Sequence, residues 1–171
     1  FKRLLAYSSI AHSGFIMLAM LSQHDSSASV ILYYTFVYSL DTVPLFIIFI
    51  LVKRASNGLD HLKAFQGLYK KSPWITVFMT VLLMSMAGIP PTAGFIAKYR
   101  VFVLSISQGY LAISIFAILM AIVGIYYYFN VVREVFTDRD HLEPLVITKL
   151  NAGLIIVCGV AVVVMGIFVW H

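Results

Sequence analysis

A lysine lies one helical turn beyond a run of helix-breaking residues, within a long apolar stretch. The stretch covers residues 73–106, the break falls at 88–94, and the lysine is Lys98. A continuous helix over this stretch would be roughly 50 Å long at about 1.5 Å per residue, whereas the hydrocarbon core of a bilayer is about 30 Å thick. A buried ammonium beside a broken helix is typical of ion transport. We therefore take Lys98 as the first candidate proton-transfer residue.

Two prolines and two glycines predict a break in this stretch rather than a steep tilt. Because proline has no N–H group, the carbonyls of Met86 and Ala87 would lose their helical donors. Glycine removes the steric barrier to a non-helical path. Carbonyls freed at membrane depth are tolerated only where protein or a water-lined cavity satisfies them, so the break should face a bundle interior. The residues of the predicted break are Gly88, Pro90, Pro91 and Gly94.

The composition is that of an integral membrane protein. Of 171 residues, 61% are apolar and 11% are charged, and the mean hydropathy is +0.96, whereas about a quarter of a soluble domain is charged. The apolar runs lack strand-like alternation and are too long for barrel strands. The sequence predicts an all-α membrane protein, a single transmembrane region over 1–171 with five spans. The spans lie at about 4–21, 29–52, 73–106 with its break, 109–132 and 150–170.

The basic residues predict the orientation of these spans. If the five spans alternate, all twelve Lys and Arg residues except Lys98 and Arg100 fall on one side. Cytoplasmic loops of membrane proteins hold the excess of positive charge. The chain should therefore start on the cytoplasmic side of the membrane and end on the opposite side. The same topology explains the net charge of +5. No nucleic-acid partner is implied, because that would need a soluble basic face.

Three further polar residues are candidates for proton transfer, each with a structural alternative. His12 is either a proton relay or an ordinary hydrogen-bonding contact between helices. Asp41, near the centre of the second span, should be protonated, paired or next to water, and its alternative is a protonated acid bonded to a neighbouring helix. Lys2 is either a positive anchor at the inner boundary or a transport site.

Three consecutive tyrosines end the fourth predicted span, at residues 126–128. Such a run is typical of the aromatic belt at a membrane interface.

Other chemistry is not indicated by the sequence. The single cysteine, Cys158, excludes a disulfide framework within this chain, and no His or carboxylate pair has metal-ligand spacing. No glycine loop for phosphate and no Ser-His-Asp set is present. We expect no cofactor in this chain. Because Phe1 is followed at once by a basic pair and an apolar helix, we also expect the first residues to lie in the middle of a longer polypeptide.

Two stretches resemble a known family: 1–15, FKRLLAYSSIAHSGF, and 87–99, AGIPPTAGFIAKY. They are similar to the antiporter-like membrane subunits of respiratory complex I and of multisubunit sodium/proton antiporters. A lysine followed by an aromatic residue after Gly-Phe-Ile resembles the N-type subunits of NADH:quinone oxidoreductase. Matched in order, the five spans resemble the last five of fourteen helices, the broken one being the twelfth.

The resemblance implies roles for some of the candidate residues. Lys98 would be the terminal lysine of a row of titratable residues along the membrane midplane. Lys2 would match a lysine at the start of the tenth helix, and His12 would match a polar position on that helix. Asp41 departs from the small residue expected there, so the resemblance gives it no role.

The resemblance also implies partners and a location. The partners would be the other membrane and peripheral subunits of complex I, including neighbouring antiporter-like subunits, together with the lipid bilayer. NADH, FMN, iron–sulfur clusters and quinone would belong to partner subunits. The location would be an energy-conserving inner membrane, either bacterial or mitochondrial.

The expected function is proton translocation by protonation and deprotonation of Lys98, coupled to quinone reduction in partner subunits. Burial disfavours a charged ammonium, so a buried lysine can be loaded and unloaded with a proton, whereas an arginine stays charged. Two alternatives remain open. The chain could instead be a subunit of a multisubunit sodium/proton antiporter, or a non-conducting scaffold that only holds the helices of the complex together. For Lys98 alone, the alternative is a structural ion pair with an acid such as Asp41.

Overall fold

The computed structural model describes residues 1–22, 24–56, 61–138 and 145–168, and all regular secondary structure in these ranges is helical. A 3₁₀ turn at Leu62–Phe65 lies between the second and third helices. The helices are α1 (Lys2–Leu21), α2 (Ser27–Ala55), α3 (Leu68–Lys71), α4 (Pro73–Ala87), α5 (Ala93–Ser107), α6 (Leu111–Val135) and α7 (Lys149–Phe168).

The helix lengths agree with five predicted spans, the third of them broken. Within the described ranges, α1, α2, α6 and α7 are long and apolar enough to cross a membrane. Helices α4 and α5 have 15 residues each, or about 22 Å at 1.5 Å per residue, so neither alone matches a core of about 30 Å. Together they cover the predicted third span, with the break between them. The predicted all-α membrane fold is confirmed, and residues 169–170 of the predicted fifth span lie outside the described residues.

Helix α2 lies at the centre of the bundle and positions the broken span. It packs against α1, α4, α5 and α7, and its side chains Leu45 and Ile48 are fully buried. Leu82 on α4 and Val101 on α5 are equally buried. In contrast, many large apolar side chains of α6 are exposed. Met86 and Ala87, whose carbonyls the break frees, are buried, whereas Pro90 and Pro91 are exposed. The carbonyl side of the break thus faces the interior of the bundle, as freed carbonyls require, but the two prolines do not.

The end of α4 is formed by a glycine in the left-handed conformation. Gly88 has a φ of 82°, and its N–H donates to the carbonyl of Ser85 at 2.9 Å. The N–H of Ile89 donates to the carbonyl of Met84 at 3.0 Å. These two bonds are the Schellman motif, which satisfies two of the orphan carbonyls at a helix C-terminus. The Pro90–Pro91 peptide that follows is cis.

Candidate functional site

Lys98 fills the hydrogen-bonding positions that the break leaves empty. Its Nζ donates to the carbonyl oxygen of Met86 at 2.7 Å and to that of Ala87 at 2.9 Å. These are the two carbonyls that an uninterrupted helix would have bonded to the N–H groups of residues 90 and 91, both of which are prolines. The lysine side chain is only 7% exposed. A single buried cation thus completes the end of the broken helix.

Burial opposes a charge on Lys98, but the groups around its Nζ atom favour one. Carbonyls at a helix C-terminus carry the negative end of the helix dipole, so an ammonium there is stabilised. Hydrogen bonds from a charged donor are roughly twice as strong as neutral ones. The Nζ atom also lies 5.6 Å from the centroid of the Phe15 ring, within the range of a cation–π attraction. Loss of the proton would weaken all three interactions, which ties the break to the charge state of Lys98.

Close approach requires both glycines of the predicted break, and conformation also requires Gly88. A Cβ added to Gly88 would lie 2.9 Å from Cδ of Lys98. A Cβ added to Gly94 would collide with the backbone carbonyl of Ser85. The absence of these side chains allows α5 to approach the end of α4 and brings Lys98 to the freed carbonyls.

Asp41 lies on the other side of the break, in α2. It is 2% exposed, and its Oδ2 accepts a hydrogen bond of 2.8 Å from Oγ of Ser85. The backbone N–H of Gly94 donates to the same Oγ at 3.2 Å. This chain of hydrogen bonds ties α2, α4 and α5 together at the break. Among the described residues, Oδ1 of Asp41 has no hydrogen-bond partner.

Lys98 and Asp41 are electrostatic neighbours but do not form a direct ion pair within the described part of the chain. Their charges interact across the break. They contact consecutive residues of α4, because Asp41 is bonded to Ser85 and Lys98 to Met86 and Ala87. The structure thus shows no direct contact between Lys98 and Asp41 of the kind that the ion-pair alternative requires. Two backbone carbonyls bind the lysine instead.

His12 belongs to a hydrogen-bonded cluster that joins three helices. The ring is 6% exposed, and its Nδ1 lies 2.9 Å from the hydroxyl of Tyr34 on α2. Its Nε2 lies 3.4 Å from the hydroxyl of Tyr128 on α6, which is also bonded to Oγ of Ser8 at 2.5 Å. Both ring nitrogens therefore have a hydroxyl partner, and which of them carries the hydrogen depends on the tautomer.

The tyrosine at 128 was missed by the sequence interpretation. Tyr126 and Tyr127 are exposed, as an aromatic belt predicts, but Tyr128 is buried and hydrogen-bonded. The belt interpretation is therefore wrong for Tyr128. A signal was present in the sequence, since Tyr128 shares one helix face with the buried residues Val131 and Val135.

A cavity connects the His12 cluster with Lys98. It has a volume of about 990 Å³ and is lined mainly by apolar side chains of α1 and α6. Its polar lining includes His12, Tyr128 and Lys98. Phe15 also lines the cavity, and its ring centroid lies 6.2 Å from that of His12 and 5.6 Å from Nζ of Lys98. The structure thus brings His12 and Lys98 to one space.

Lys2 is not part of this arrangement. It is the first residue of α1 and is exposed, about 15 Å along the helix axis from His12 at 1.5 Å per residue. Across the described residues, no group of three or more His, Cys, Asp or Glu side chains is placed to hold a metal ion. The site therefore consists of Lys98 with its carbonyls, Asp41 with Ser85, and the His12 cluster.

Comparisons with known proteins match a family model to residues 1–124 and curated relatives to almost the whole chain. The model of the family described as "NADH:quinone oxidoreductase/Mrp antiporter, TM" matches residues 1–124. The chain is 38% identical to NADH-quinone oxidoreductase subunit N 2 of Solibacter usitatus, covering 98% of this chain and 34% of that protein. It is 37% identical to NADH-quinone oxidoreductase subunit N of Halorhodospira halophila, and this match covers 98% of this chain and 36% of that protein.

A solved structure has the same fold. It is a chain of respiratory complex I from Thermus thermophilus with bound Aureothin, 27% identical, with a TM-score of 0.75 over 97% of this chain and 38% of that chain. The resemblance carried by residues 1–15 and 87–99 is confirmed, because both stretches lie within the match and the relatives are N subunits. The chain spans about a third of the length of the curated relatives it matches.

Proposed function

Since the chain belongs to the family of NADH:quinone oxidoreductase and Mrp antiporter transmembrane proteins, we propose that it is part of an N-type, proton-translocating membrane subunit of NADH:quinone oxidoreductase. Lys98 carries the proton. The observation that supports this most directly is the buried ammonium on the carbonyls of Met86 and Ala87. A purely structural helix end would not need a titratable residue there, because a Schellman motif and a water suffice elsewhere.

The geometry suggests how the lysine works. When Lys98 is protonated, its charge holds the end of α4 against α5. When a neighbouring charge changes and the proton leaves, the bonds to the two carbonyls weaken, and the break is free to admit water. His12 is the candidate relay on the cavity side, because it has two hydroxyl partners and shares the cavity with Lys98. The exposed Lys2 fits an anchor at the inner boundary better than a step of the path.

The energy for this cycle must come from outside the chain. Moving one elementary charge against 100 mV requires about 2.3 kcal/mol. We assign the supply to quinone reduction in partner subunits of complex I, which would hold the NADH site, FMN, the iron–sulfur clusters and the quinone. The membrane would be an energy-conserving inner membrane, either bacterial or mitochondrial.

A second candidate function is a subunit of a sodium/proton antiporter. It is favoured by one observation, that the matching family model covers antiporter subunits as well as oxidoreductase subunits. Such a subunit would exchange sodium for protons without NADH. A scaffold without a proton path is the third possibility.

The first experiment compares Lys98→Ala, Lys98→Arg and the wild type in inverted vesicles that contain the assembled complex. NADH-driven proton uptake, quinone reduction and assembly on a native gel are measured together. We expect both variants to assemble and to lose proton uptake, because alanine carries no proton and arginine does not release one. Lys149→Ala, at the exposed start of α7, is the matched control and should pump normally.

The outcomes separate the three functions. Normal pumping by Lys98→Arg would contradict the proposal, and normal pumping by Lys98→Ala as well would leave the scaffold role. Sodium-dependent proton movement without NADH would favour the antiporter.

A further inference from the structure

The break contains a second buried ionisable group that the lysine mechanism does not use. Asp41 is 2% exposed, and only one of its two carboxyl oxygens is hydrogen-bonded within the described chain. An ionised carboxylate with an unpaired oxygen is costly in an apolar interior, whereas a protonated carboxyl is not charged. Oδ1 is therefore the atom on which a proton would be held.

Lys98 is the one cation among the groups that interact with this carboxyl in the described residues. The others are Ser85 on α4, which has no charge, and three titratable residues: Tyr34 on α2, Tyr128 on α6 and Cys158 on α7. Tyrosine and cysteine side chains are normally neutral near pH 7. Asp41 and Lys98 thus form an electrostatic pair whose charges are opposite when both are ionised.

We propose that Asp41 is a second proton-carrying residue of this chain and exchanges a proton with Lys98 across the break. This proposal rests on the proposed function of Lys98. In the exchange the Nζ–H bond of the ammonium breaks, its electron pair stays on nitrogen, and an O–H bond forms on Oδ1 of Asp41. A charged pair becomes a neutral pair, and the reverse step restores it.

Charge conservation makes this exchange easier than release of a proton from either residue alone. The sum of the two charges is zero before and after the step, so no net charge is created in the low-dielectric interior. Because Nζ is bonded to the carbonyls of residues 86 and 87, the transfer needs a swing of the four-carbon lysine stem or a bridging water. Either becomes available when the break opens.

The hydrogen bonds around Ser85 support a role in coupling. Oγ of Ser85 donates to Asp41 and accepts from the N–H of Gly94, the second residue of α5. A carboxylate attracts the hydroxyl hydrogen more strongly than a neutral carboxyl does. The charge of Asp41 is therefore transmitted to the start of α5, the same helix that carries Lys98.

The test uses Asp41→Asn and Asp41→Glu in the full complex. Asparagine is isosteric and still accepts a bond from Ser85, but it carries no proton, whereas glutamate keeps the acid. Proton uptake per NADH is measured in inverted vesicles. Redox-triggered infrared difference spectra in H₂O and D₂O report the C=O band of a protonated carboxyl. We expect Asp41→Asn to assemble, to pump several-fold more slowly and to lose one such band, and Asp41→Glu to pump and to shift it.

Wild-type pumping by Asp41→Asn, or an unchanged carboxyl band in it, would overturn the proposal. If Asp41→Asn does not assemble, Asp41→Glu decides, because a band that does not shift cannot belong to residue 41. Lys98→Ala separates this idea from the proposed function. If Lys98→Ala pumps normally, the lysine mechanism itself fails. If Lys98→Ala does not pump but Asp41→Asn does, only the exchange with Asp41 fails.

Discussion

The ammonium of Lys98 lies 2.7 Å from the carbonyl oxygen of Met86, twelve residues earlier in the chain. This carbonyl ends one half of a broken helix, and the lysine belongs to the other half. The bond therefore crosses the break and is present in full strength only while the lysine is charged. A helix interruption and a titratable group are thus one structural unit, and changes to either should affect the other.

Restoring backbone donors at the break should impair proton translocation. The double variant Pro90→Ala/Pro91→Ala supplies two N–H groups for the carbonyls that now accept from Lys98. Competition for these acceptors should displace the lysine and favour a continuous helix. We expect an assembled complex in which NADH-driven proton uptake falls several-fold. Unchanged uptake would show that the break is not needed for transport.

A methyl group at residue 88 should disturb Lys98 directly. Gly88→Ala would force alanine into a left-handed conformation, which costs about 1–2 kcal/mol, and would place Cβ 2.9 Å from Cδ of the lysine. We expect reduced proton uptake in inverted vesicles with assembly retained. Gly153→Ala is the matched control, because no atom lies within 4 Å of the added Cβ. Equal proton uptake by the two variants would contradict the view that residue 88 is strained and in contact with Lys98.

Much of the fold was predictable because its signals are local. The spans follow from apolar length, and the break follows from the residues that cannot continue a helix. The two carbonyls freed at residues 86 and 87 were identified from the proline positions alone. What the sequence did not indicate was their partner, because a contact between Lys98 and these carbonyls depends on the path of the chain between Gly88 and Thr92.

Contacts between distant helices were also beyond the sequence. Asp41 meets Ser85, 44 residues away, and Ser8 meets Tyr128, 120 residues away. Such pairs depend on which helix faces are adjacent in the bundle. A single sequence does not show which faces of two helices pack against each other. The burial of Tyr128 beside the exposed Tyr126 and Tyr127 was predictable in principle from helical periodicity, but a run of three identical residues obscures it.

A methyl group at residue 94 should test packing rather than charge. The added Cβ of Gly94→Ala would collide with the carbonyl of Ser85, so α4 and α5 would have to separate. Overpacking of this kind typically costs about 1–3 kcal/mol. We expect a lower thermal stability of the assembled complex, followed by native gel after heating. Gly153→Ala should be as stable as the wild type, and equal stability of both variants would contradict the close approach.

The hydroxyl of Tyr128 should matter while that of Tyr126 should not. Tyr128→Phe removes the partner of Ser8 and of Nε2 of His12, and a buried polar group left without a partner costs about 1–3 kcal/mol. Tyr126 is 72% exposed, so Tyr126→Phe is a matched control on the same helix. We expect Tyr128→Phe alone to lower the thermal stability of the complex and, if His12 relays protons to Lys98, to slow NADH-driven uptake. Identical behaviour of the two phenylalanine variants in both measurements would mean that the His12 cluster contributes neither to stability nor to transport.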